Sequence, residues 1–179
     1  MSLKTSAADC FVRIRLENTE NLDERAAIRA VNVAAFGGWD EADLIETLRG
    51  DGHALISLVA ELEGGIVGHI LFSRIWIKTS PALLSAVALA PVAVLPKHQR
   101  KGIGSLLIQH GLERLQDRGE TIVIVVGHPD YYPRFGFSTA RAKSLESPFP
   151  VEAFMAMELR PGALDGIAGS VVYPPAFGL

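Results

Sequence analysis

Cysteine is almost missing from this sequence, and neither sign of charge dominates it. The chain of 179 residues has one cysteine, Cys10, which excludes an intrachain disulfide and any zinc site built from cysteines. That usage fits a reducing compartment. The formal net charge is −3, with 17 basic and 20 acidic residues, so the basic surface of a general nucleic-acid-binding protein is not expected.

No apolar run is long enough for a membrane helix. The longest tract, residues 83–95, is interrupted by Ser85 and Pro91 and is shorter than the roughly 20 residues that a spanning helix needs. The first nine residues lack the apolar stretch of a secretory leader. These features predict a soluble cytoplasmic protein with no membrane partner.

Apolar residues are plentiful enough for one substantial core. They make up 49% of the composition, and the length is that of one ordinary domain. No linker, repeat or low-complexity segment divides the chain. We therefore expect a single domain over residues 1–179, with its core at about 10–160 and a carboxyl-terminal extension at 161–179.

Apolar periodicity predicts a mixed α/β fold with about seven strands and four helices. A first strand is predicted at 12–16, and helical patterns follow at 21–36 and from Asp40, a candidate N-cap, to Gly50. Pro91 lacks an amide hydrogen, so the strand that contains it should be bulged or unpaired on one side. The remaining predicted elements are strands at 54–62, 66–78, 83–95, 121–126, from 136, and 154–159, with helices at 102–117 and 129–134.

The segment at 92–107 places two glycines and a basic loop between a strand and a helix. Gly102 and Gly104 allow a ligand to approach the first N–H groups of the helix, and Lys97, Arg100 and Lys101 add positive charge. A dinucleotide fingerprint needs a third glycine at position 107, where leucine stands, and the segment lacks the Gly-Lys-Ser/Thr of a P-loop. The pattern predicts a pyrophosphate site of another kind.

Two motifs give the chain a resemblance to a known family. The run Gln99-Arg100-Lys101-Gly102-Ile103-Gly104 resembles the Gln/Arg-x-x-Gly-x-Gly/Ala signature of the GNAT superfamily of N-acetyltransferases, which use acetyl-coenzyme A (acetyl-CoA). The run at 131–137, Tyr-Tyr-Pro-Arg-Phe-Gly-Phe, is similar to that family's short helix and following strand. Together with the segments at 67–70 and 172–177, it resembles the bacterial YhbS-like branch. The resemblance covers nearly the whole chain.

This resemblance implies a GNAT-like acyl-CoA N-acyltransferase fold, acetyl-CoA as cosubstrate and no metal. Backbone N–H groups from Arg100 to Ser105 would bind the pyrophosphate, and Gln99 would position the loop. Residues 92–94 would offer backbone groups to the pantetheine arm, because a strand interrupted at Pro91 leaves such groups unpaired nearby. The predicted cofactor-binding residues are Val92, Ala93, Val94, Gln99, Arg100, Lys101, Gly102, Ile103, Gly104 and Ser105.

Tyr132 is the predicted catalytic residue. The family's tyrosine lies near the thioester sulfur, and Tyr132 has the matching spacing from Gly136. An unperturbed tyrosine has a pKa of about 10, above the roughly 8.5 of a thiol, so its hydroxyl can donate as charge develops on the departing sulfur. The alternative is that Tyr132 only packs against the cofactor or the core.

The general base is not carried over from the family. Many members have a glutamate on the strand before the glycine loop, but residues 83–95 contain no acid. Glu61 and His69 are candidate substitutes, acting directly or through water. For each there is a simpler reading, namely a surface charge at a strand end for Glu61 and a hydrogen-bonded core residue for His69.

The acceptor site is expected near residues 36–39, where the first two helices meet. Asp40, Glu41 and Asp43 could attract a cationic amine, although favourable charge at a helix N-terminus is the simpler explanation. The acceptor itself, whether small molecule, peptide or protein, cannot be read from the sequence. The apolar tail at 171–177 could cover an edge of the core or pair with a second subunit, which leaves a homodimer open.

The leading functional prediction is an acetyl-CoA-dependent N-acetyltransferase acting on a primary amine. A non-catalytic acyl-CoA sensor is the alternative that the missing acid keeps open. A nucleic-acid-binding module built on residues 97–101 is disfavoured, because the chain is acidic overall and lacks a supporting basic or aromatic surface.

Overall fold

The computed structural model describes residues 11–179, so Cys10 and the segment on which the leader prediction rests lie outside the described residues. Three α-helices and eight strands form in this part of the chain, joined by three short 3-10 helices. The α-helices are α1 (Leu22–Phe36), α2 (Asp40–Gly50) and α3 (Ile103–Asp117). The strands are β1 (Arg13–Leu16), β2 (Ala54–Leu62), β3 (Gly65–Lys78), β4 (Leu83–Val94), β5 (Ile122–Val126), β6 (Leu145–Glu146), β7 (Phe154–Glu158) and β8 (Gly169–Val172).

All eight strands belong to one mixed sheet. Its main order is β1-β2-β3-β4-β5-β7, and β8 pairs with both β3 and β6. The β4–β5 and β6–β8 pairs are parallel, while the other pairs are antiparallel. This mixed α/β sheet confirms the predicted fold class.

Helices cover both faces of the sheet, and adjacent residues of β3 show which helix lies on which side. A Cβ at Gly68 would contact Leu107 of α3 at 3.1 Å, whereas the next residue, His69, contacts Asn32 of α1. Since successive strand residues point to opposite faces, α3 and α1 lie on opposite sides of the sheet. Close packing fixes α3, because a Cβ at Gly111 would lie only 2.1 Å from the ring of Phe72.

Most predicted elements form close to their predicted bounds. β2 spans Ala54–Leu62 as expected, and α1 begins after Asn21, whose side chain accepts hydrogen bonds from the backbone of Asp23 and Glu24. α3 also matches its prediction, since it covers Ile103–Asp117. The bulge expected at Pro91 is present, because the β3–β4 register shifts between the pairs Ile70–Val92 and Phe72–Leu89.

Several local predictions were wrong. The cap of α2 is Trp39 and makes no side-chain hydrogen bond, while Asp40 is already the first helical residue. The fourth predicted helix is a 3-10 helix at Tyr132–Phe135. The strand expected from Gly136 is reduced to one bridge, Ser138 to Ala156, because the chain turns away from the sheet there.

The carboxyl-terminal segment completes the sheet and one side of the molecule. β8 pairs with Trp76, Ile77 and Lys78 at the end of β3, beyond the part of that strand that pairs with β2. After β8, a 3-10 helix at Pro175–Phe177 packs against α2. The tail therefore covers an edge of the core, which is one of the two roles considered for it, and its pairing with a second subunit stays a prediction.

Candidate active site

The parallel strands β4 and β5 separate shortly after they meet. Their ladder contains two pairs, Val87–Val123 and Ala88–Ile124. Past the bulge at Pro91, β4 continues to Val94 along β3 without a ladder to β5. The sheet therefore opens into a gap along the second half of β4.

Backbone alternation decides which residues of β4 face this gap. The amide of Leu95 donates to the carbonyl of Val67 at 2.8 Å, and the register pairs Ala93 with His69 two residues earlier. In an antiparallel ladder these are the hydrogen-bonded pairs, so Ala93 directs its backbone groups at β3. Val92 and Val94 direct theirs away from β3 and into the gap.

The loop that follows β4 ends in an uncapped helix N-terminus. Gly102 has a positive φ of 83°, and no side chain caps α3. The first helical bond runs from the amide of Leu106 to the carbonyl of Gly102, which leaves the amides of residues 103–105 without an acceptor among the described residues. Gln99 fixes the loop to the strand, because its Nε2 donates to the carbonyl of Val94 at 2.9 Å.

The gap and this helix terminus form one cavity of about 810 Å³, which we call the α3 cleft. Eight of the ten predicted cofactor-binding residues line it. Ala93 does not, and Lys101 does not because its ammonium donates to the carbonyl of Lys97 at 3.0 Å. The lining residues are Val92, Val94, His98, Gln99, Arg100, Gly102, Ile103, Gly104, Ser105, Gly127, His128, Tyr131, Tyr132 and Arg134.

Tyr132 lies at the inner end of the α3 cleft. Its ring is 8% exposed and packs edge-on against Tyr131 and Phe137, with centroid distances of 5.2 and 5.8 Å. Burial, with a smaller contribution from Tyr131, raises the pKa of Tyr132 to about 12. Its hydroxyl forms no hydrogen bond with the residues that the structure describes. The proton on this oxygen is therefore retained at neutral pH and is free for a ligand.

Three further residues shape this wall and were missed in the sequence. A Cβ at Gly127 would lie 2.2 Å from the ring of Tyr132, so only glycine fits there. The hydroxyl of Tyr131 lies 3.3 Å from that of Ser105, and the guanidinium of Arg134 stacks on the Tyr131 ring at 4.6 Å. The Tyr-Tyr doublet and the glycine directly after the buried β5 run were the available signals.

A second cavity of about 320 Å³ lies beside α2, and we call it the α2 pocket. It meets the α3 cleft at Val92 and Tyr132, which line both. Glu41 is the one charged residue among those that line it. The lining residues are Phe36, Glu41, Leu44, Ala88, Leu89, Ala90, Pro91, Val92, Ile124, Val126, Tyr132, Phe149, Tyr173 and Phe177.

The predicted acceptor region is only partly at this pocket. Phe36 and Glu41 line it, whereas Trp39 faces Arg29, whose guanidinium stacks on the indole at 5.0 Å. Asp43 also pairs with Arg29, at 2.6 Å. Glu41 forms no ion pair or hydrogen bond within residues 11–179, so its carboxylate differs from that of Asp43 in being available.

Neither candidate base lines the α3 cleft or the α2 pocket. Glu61 pairs with Arg15 at 2.9 Å on the outer strands. His69 is fully buried, with its ring nitrogens 3.2 Å from the Asn32 amide and 2.9 Å from the Ser57 hydroxyl. Burial, together with the charge of Arg49, lowers the pKa of His69 to about 3. Both residues therefore have structural partners and lie outside the two cavities.

Within residues 11–179, no group of histidine, cysteine, aspartate and glutamate side chains is arranged to hold a metal ion. The helices of the same described range are too short or too polar to cross a bilayer.

Comparison with known proteins gives consistent matches over most of the chain. The profile described as "Acetyltransferase (GNAT) family" matches residues 17–137. The chain is 43% identical over 127 residues to the "Uncharacterized N-acetyltransferase YjhQ" of Escherichia coli (strain K12), which covers 69% of this chain and 70% of YjhQ.

Two similar solved structures contain CoA or acetyl-CoA. The GNAT family N-acetyltransferase YhbS from Escherichia coli, in complex with CoA, superposes with a TM-score of 0.87 at 30% identity and covers 98% of this chain and 96% of YhbS. A GNAT family acetyltransferase from Brucella melitensis, in complex with acetyl-CoA, has a TM-score of 0.76 at 33% identity and covers 93% and 98%.

Proposed function

Since this chain belongs to the acetyltransferase (GNAT) family, we propose that it transfers the acetyl group of acetyl-CoA to a primary amine. The observation that carries the proposal is the meeting of two cavities at Val92 and Tyr132. The α3 cleft holds the donor and the α2 pocket holds the acceptor. A cytoplasmic location is part of the proposal.

The α3 cleft fits the donor in size and in the groups that it offers. Its volume of about 810 Å³ lies in the range of ligand pockets. The free amides of residues 103–105 and the N-terminal end of the α3 dipole suit a pyrophosphate, and Arg100 lines the same wall. Val92 and Val94 offer the backbone groups that an amide-containing pantetheine arm can pair with, as a strand would.

Tyr132 is proposed to act at the departing sulfur. Acetyl-CoA supplies an acetyl group that is activated as a thioester. The amine nitrogen forms a C–N bond as the C–S bond breaks, and the Tyr132 hydroxyl donates a hydrogen bond to the sulfur. Because the pKa of Tyr132 is about 12, a free tyrosinate would be costly to form. Tyr132 therefore transfers its proton to the sulfur only as it receives another proton from the attacking nitrogen.

The protons balance without a dedicated protein base. The substrate ammonium loses one proton to solvent before it attacks, and a second proton leaves its nitrogen after the C–N bond forms. That second proton restores Tyr132, while the CoA sulfur keeps the proton that Tyr132 gave. The absence of an acid on β4 is compatible with this sequence of steps, since water can take the first proton.

Thiol release tests this proposal. The purified protein is mixed with acetyl-CoA and a panel of primary amines, and free CoA thiol is followed spectroscopically while CoA binding is measured by calorimetry. We expect CoA binding and thiol release that depends on the amine. If the protein binds CoA but releases no thiol with any amine tested, the acyl-CoA sensor would be favoured instead. If it shows neither CoA binding nor thiol release, the assignment of the α3 cleft would be refuted.

A further inference from the structure

The α2 pocket has an unusual combination of one negative charge and an apolar, aromatic wall. Glu41 is its one charged lining residue, and no positively charged side chain lines it. Rings of Phe36, Phe149, Tyr173 and Phe177 are among the remaining lining residues. This composition excludes a good site for an anionic acceptor and favours a cation attached to an apolar group.

The aromatic wall is held in place by its own contacts. Tyr173 packs against Phe149 at a centroid distance of 5.6 Å and against Phe177 at 5.1 Å. These rings come from two parts of the carboxyl-terminal region, the segment before β7 and the tail after β8, and line the same pocket as residues of β4 and β5. Packed rings lose little entropy when a ligand binds, and their faces attract both apolar groups and cations.

Glu41 differs from Asp43 and Glu46 on α2 in having no partner among the described residues, and it differs from the equally unpaired Asp40 in lining the α2 pocket. Asp43 is paired with Arg29, and Glu46 is paired with Arg25 and Arg49. A carboxylate at the first turn of a helix also interacts favourably with the helix dipole, but that effect acts equally on Asp43. What sets Glu41 apart is that it borders a cavity whose other walls are uncharged.

We propose that the acceptor is a compact primary amine on an aromatic or aliphatic body, and that the Glu41 carboxylate binds its ammonium group. This inference rests on the proposed function, because it takes the α2 pocket as the acceptor site. The volume of about 320 Å³ is at the lower end for ligand pockets and suits a molecule of one ring with a short alkylamine. Glu41 is a binding residue, and Tyr132 remains the group at the reacting atoms.

Matched amines test the class of acceptor. 2-Phenylethylamine and phenylalanine share the ring and the amine and differ by one carboxylate, while glucosamine replaces the apolar body with hydroxyls. We expect kcat/KM for 2-phenylethylamine to exceed that for phenylalanine, glucosamine and a lysine-containing peptide by at least tenfold. A kcat/KM for any of the other three amines that equals or exceeds the value for 2-phenylethylamine would overturn the proposal.

Glu41→Gln tests the role of the carboxylate, and Asp43→Asn is its control. Both changes remove one charge from the first turn of α2, but Asp43 lies outside the pocket. We expect E41Q to raise KM for 2-phenylethylamine about tenfold with kcat and CoA affinity nearly unchanged, and D43N to leave KM within twofold. An unchanged KM in E41Q, or an equal change in both variants, would refute this role.

The two proposals fail in different ways. If the protein does not bind CoA or releases no thiol with any amine, the proposed function fails. If the protein acetylates other amines and E41Q behaves as wild type, the proposed acetyltransferase activity is supported, but the proposed acceptor class and the role of Glu41 are refuted.

Discussion

The α3 cleft and the α2 pocket meet at Val92 and Tyr132, yet the chain supplies their walls in different ways. Most of the α3 cleft comes from one short stretch, residues 92–105, and its binding groups are backbone amides at a strand and a helix N-terminus. The α2 pocket is lined by side chains from α1, α2, β4, β5 and three carboxyl-terminal segments. Backbone groups are the same for nearly every residue type, so most substitutions would change the binding groups of the α3 cleft little. The side chains of the α2 pocket, in contrast, can be replaced one by one to suit different acceptors.

Tyr132→Phe should give the largest effect, because it removes the one hydroxyl at the junction of both cavities. We expect kcat to fall by roughly 100-fold or more, within the range for loss of a general acid, while CoA affinity stays within twofold. An unchanged kcat would contradict the proposed role and leave Tyr132 as a packing residue.

The pH profile sharpens the same prediction. Since the pKa of Tyr132 is raised to about 12, the wild-type hydroxyl stays protonated throughout the usable pH range. Turnover should therefore rise with pH as more amine loses its proton, with no decline up to about pH 10. A decline with a midpoint near pH 9 would show that an essential acid with a lower pKa is acting.

Gly104→Val should affect the α3 cleft alone. The GNAT signature accepts glycine or alanine at this position, so the test needs a larger side chain. Its Cβ would lie 3.3 Å from the Tyr131 hydroxyl and 3.9 Å from Val94, at the wall of the cleft. Because the isopropyl group would stand where the donor approaches the helix amides, we expect CoA affinity to fall about tenfold, which corresponds to about 1.4 kcal/mol.

Two controls accompany Gly104→Val. Gly104→Ala, which the family signature accepts, should keep CoA affinity within about twofold of wild type. Gly50→Val, whose Cβ would meet no atom within 4 Å, should leave CoA affinity unaltered. Wild-type CoA affinity in G104V would show that the donor phosphates lie elsewhere.

Phe177→Ala should affect the α2 pocket alone. Removing this ring opens the wall next to Tyr173, so we expect KM for the amine to rise about fivefold while CoA affinity is unchanged. Leu179→Ala, at an exposed position of the same tail, is the matched control. Parallel changes in KM and in CoA affinity would contradict the separation of the two cavities.

His69→Gln should have the smallest effect on turnover, because His69 lines neither cavity. We expect kcat within twofold of wild type near neutral pH. The change should instead appear in stability. The pKa of His69 is lowered to about 3 in the folded protein, against about 6.5 when unfolded.

The sign of that stability effect follows from proton binding. Between pH 6.5 and 3 the unfolded chain binds a proton at His69 that the folded chain does not, so acid destabilises the fold. In urea unfolding, wild type should lose up to about 1.4 kcal/mol per pH unit more than H69Q over this window. Identical slopes would contradict the burial of a neutral imidazole.

The two cavities also differ in how far the sequence predicted them. Gly102, Gly104 and Gln99 stand within one contiguous motif, and the bulge at Pro91 follows from its missing amide, so the α3 cleft could be anticipated. Ala93 and Lys101 were included with it, because the register of β4 and the direction of a lysine side chain depend on neighbours that the sequence does not reveal.

The α2 pocket could be anticipated only in part. Phe36 and Glu41 were placed near the acceptor, but Phe149, Tyr173 and Phe177 lie beside them because β8 pairs with β6 and with the end of β3. The cap assigned to Asp40 failed for a local reason, since Trp39 is the N-cap and the helix already begins at Asp40, one residue earlier than the capping pattern indicated. Long-range pairing of short strands carries little local signal.

Val92 and Val94 direct their backbone groups into the gap beside β4, and this affects which substitutions natural variants and mutational scans would tolerate there. Every residue except proline supplies the same amide and carbonyl, so most substitutions at these two positions would preserve the groups proposed to bind the donor. A scan that identifies functional positions by their intolerance of substitution would therefore detect Gly104, Gly127 and Tyr132 but miss Val92 and Val94. Proline would then be the informative substitution at Val92 and Val94, because it removes the amide hydrogen that other residues retain.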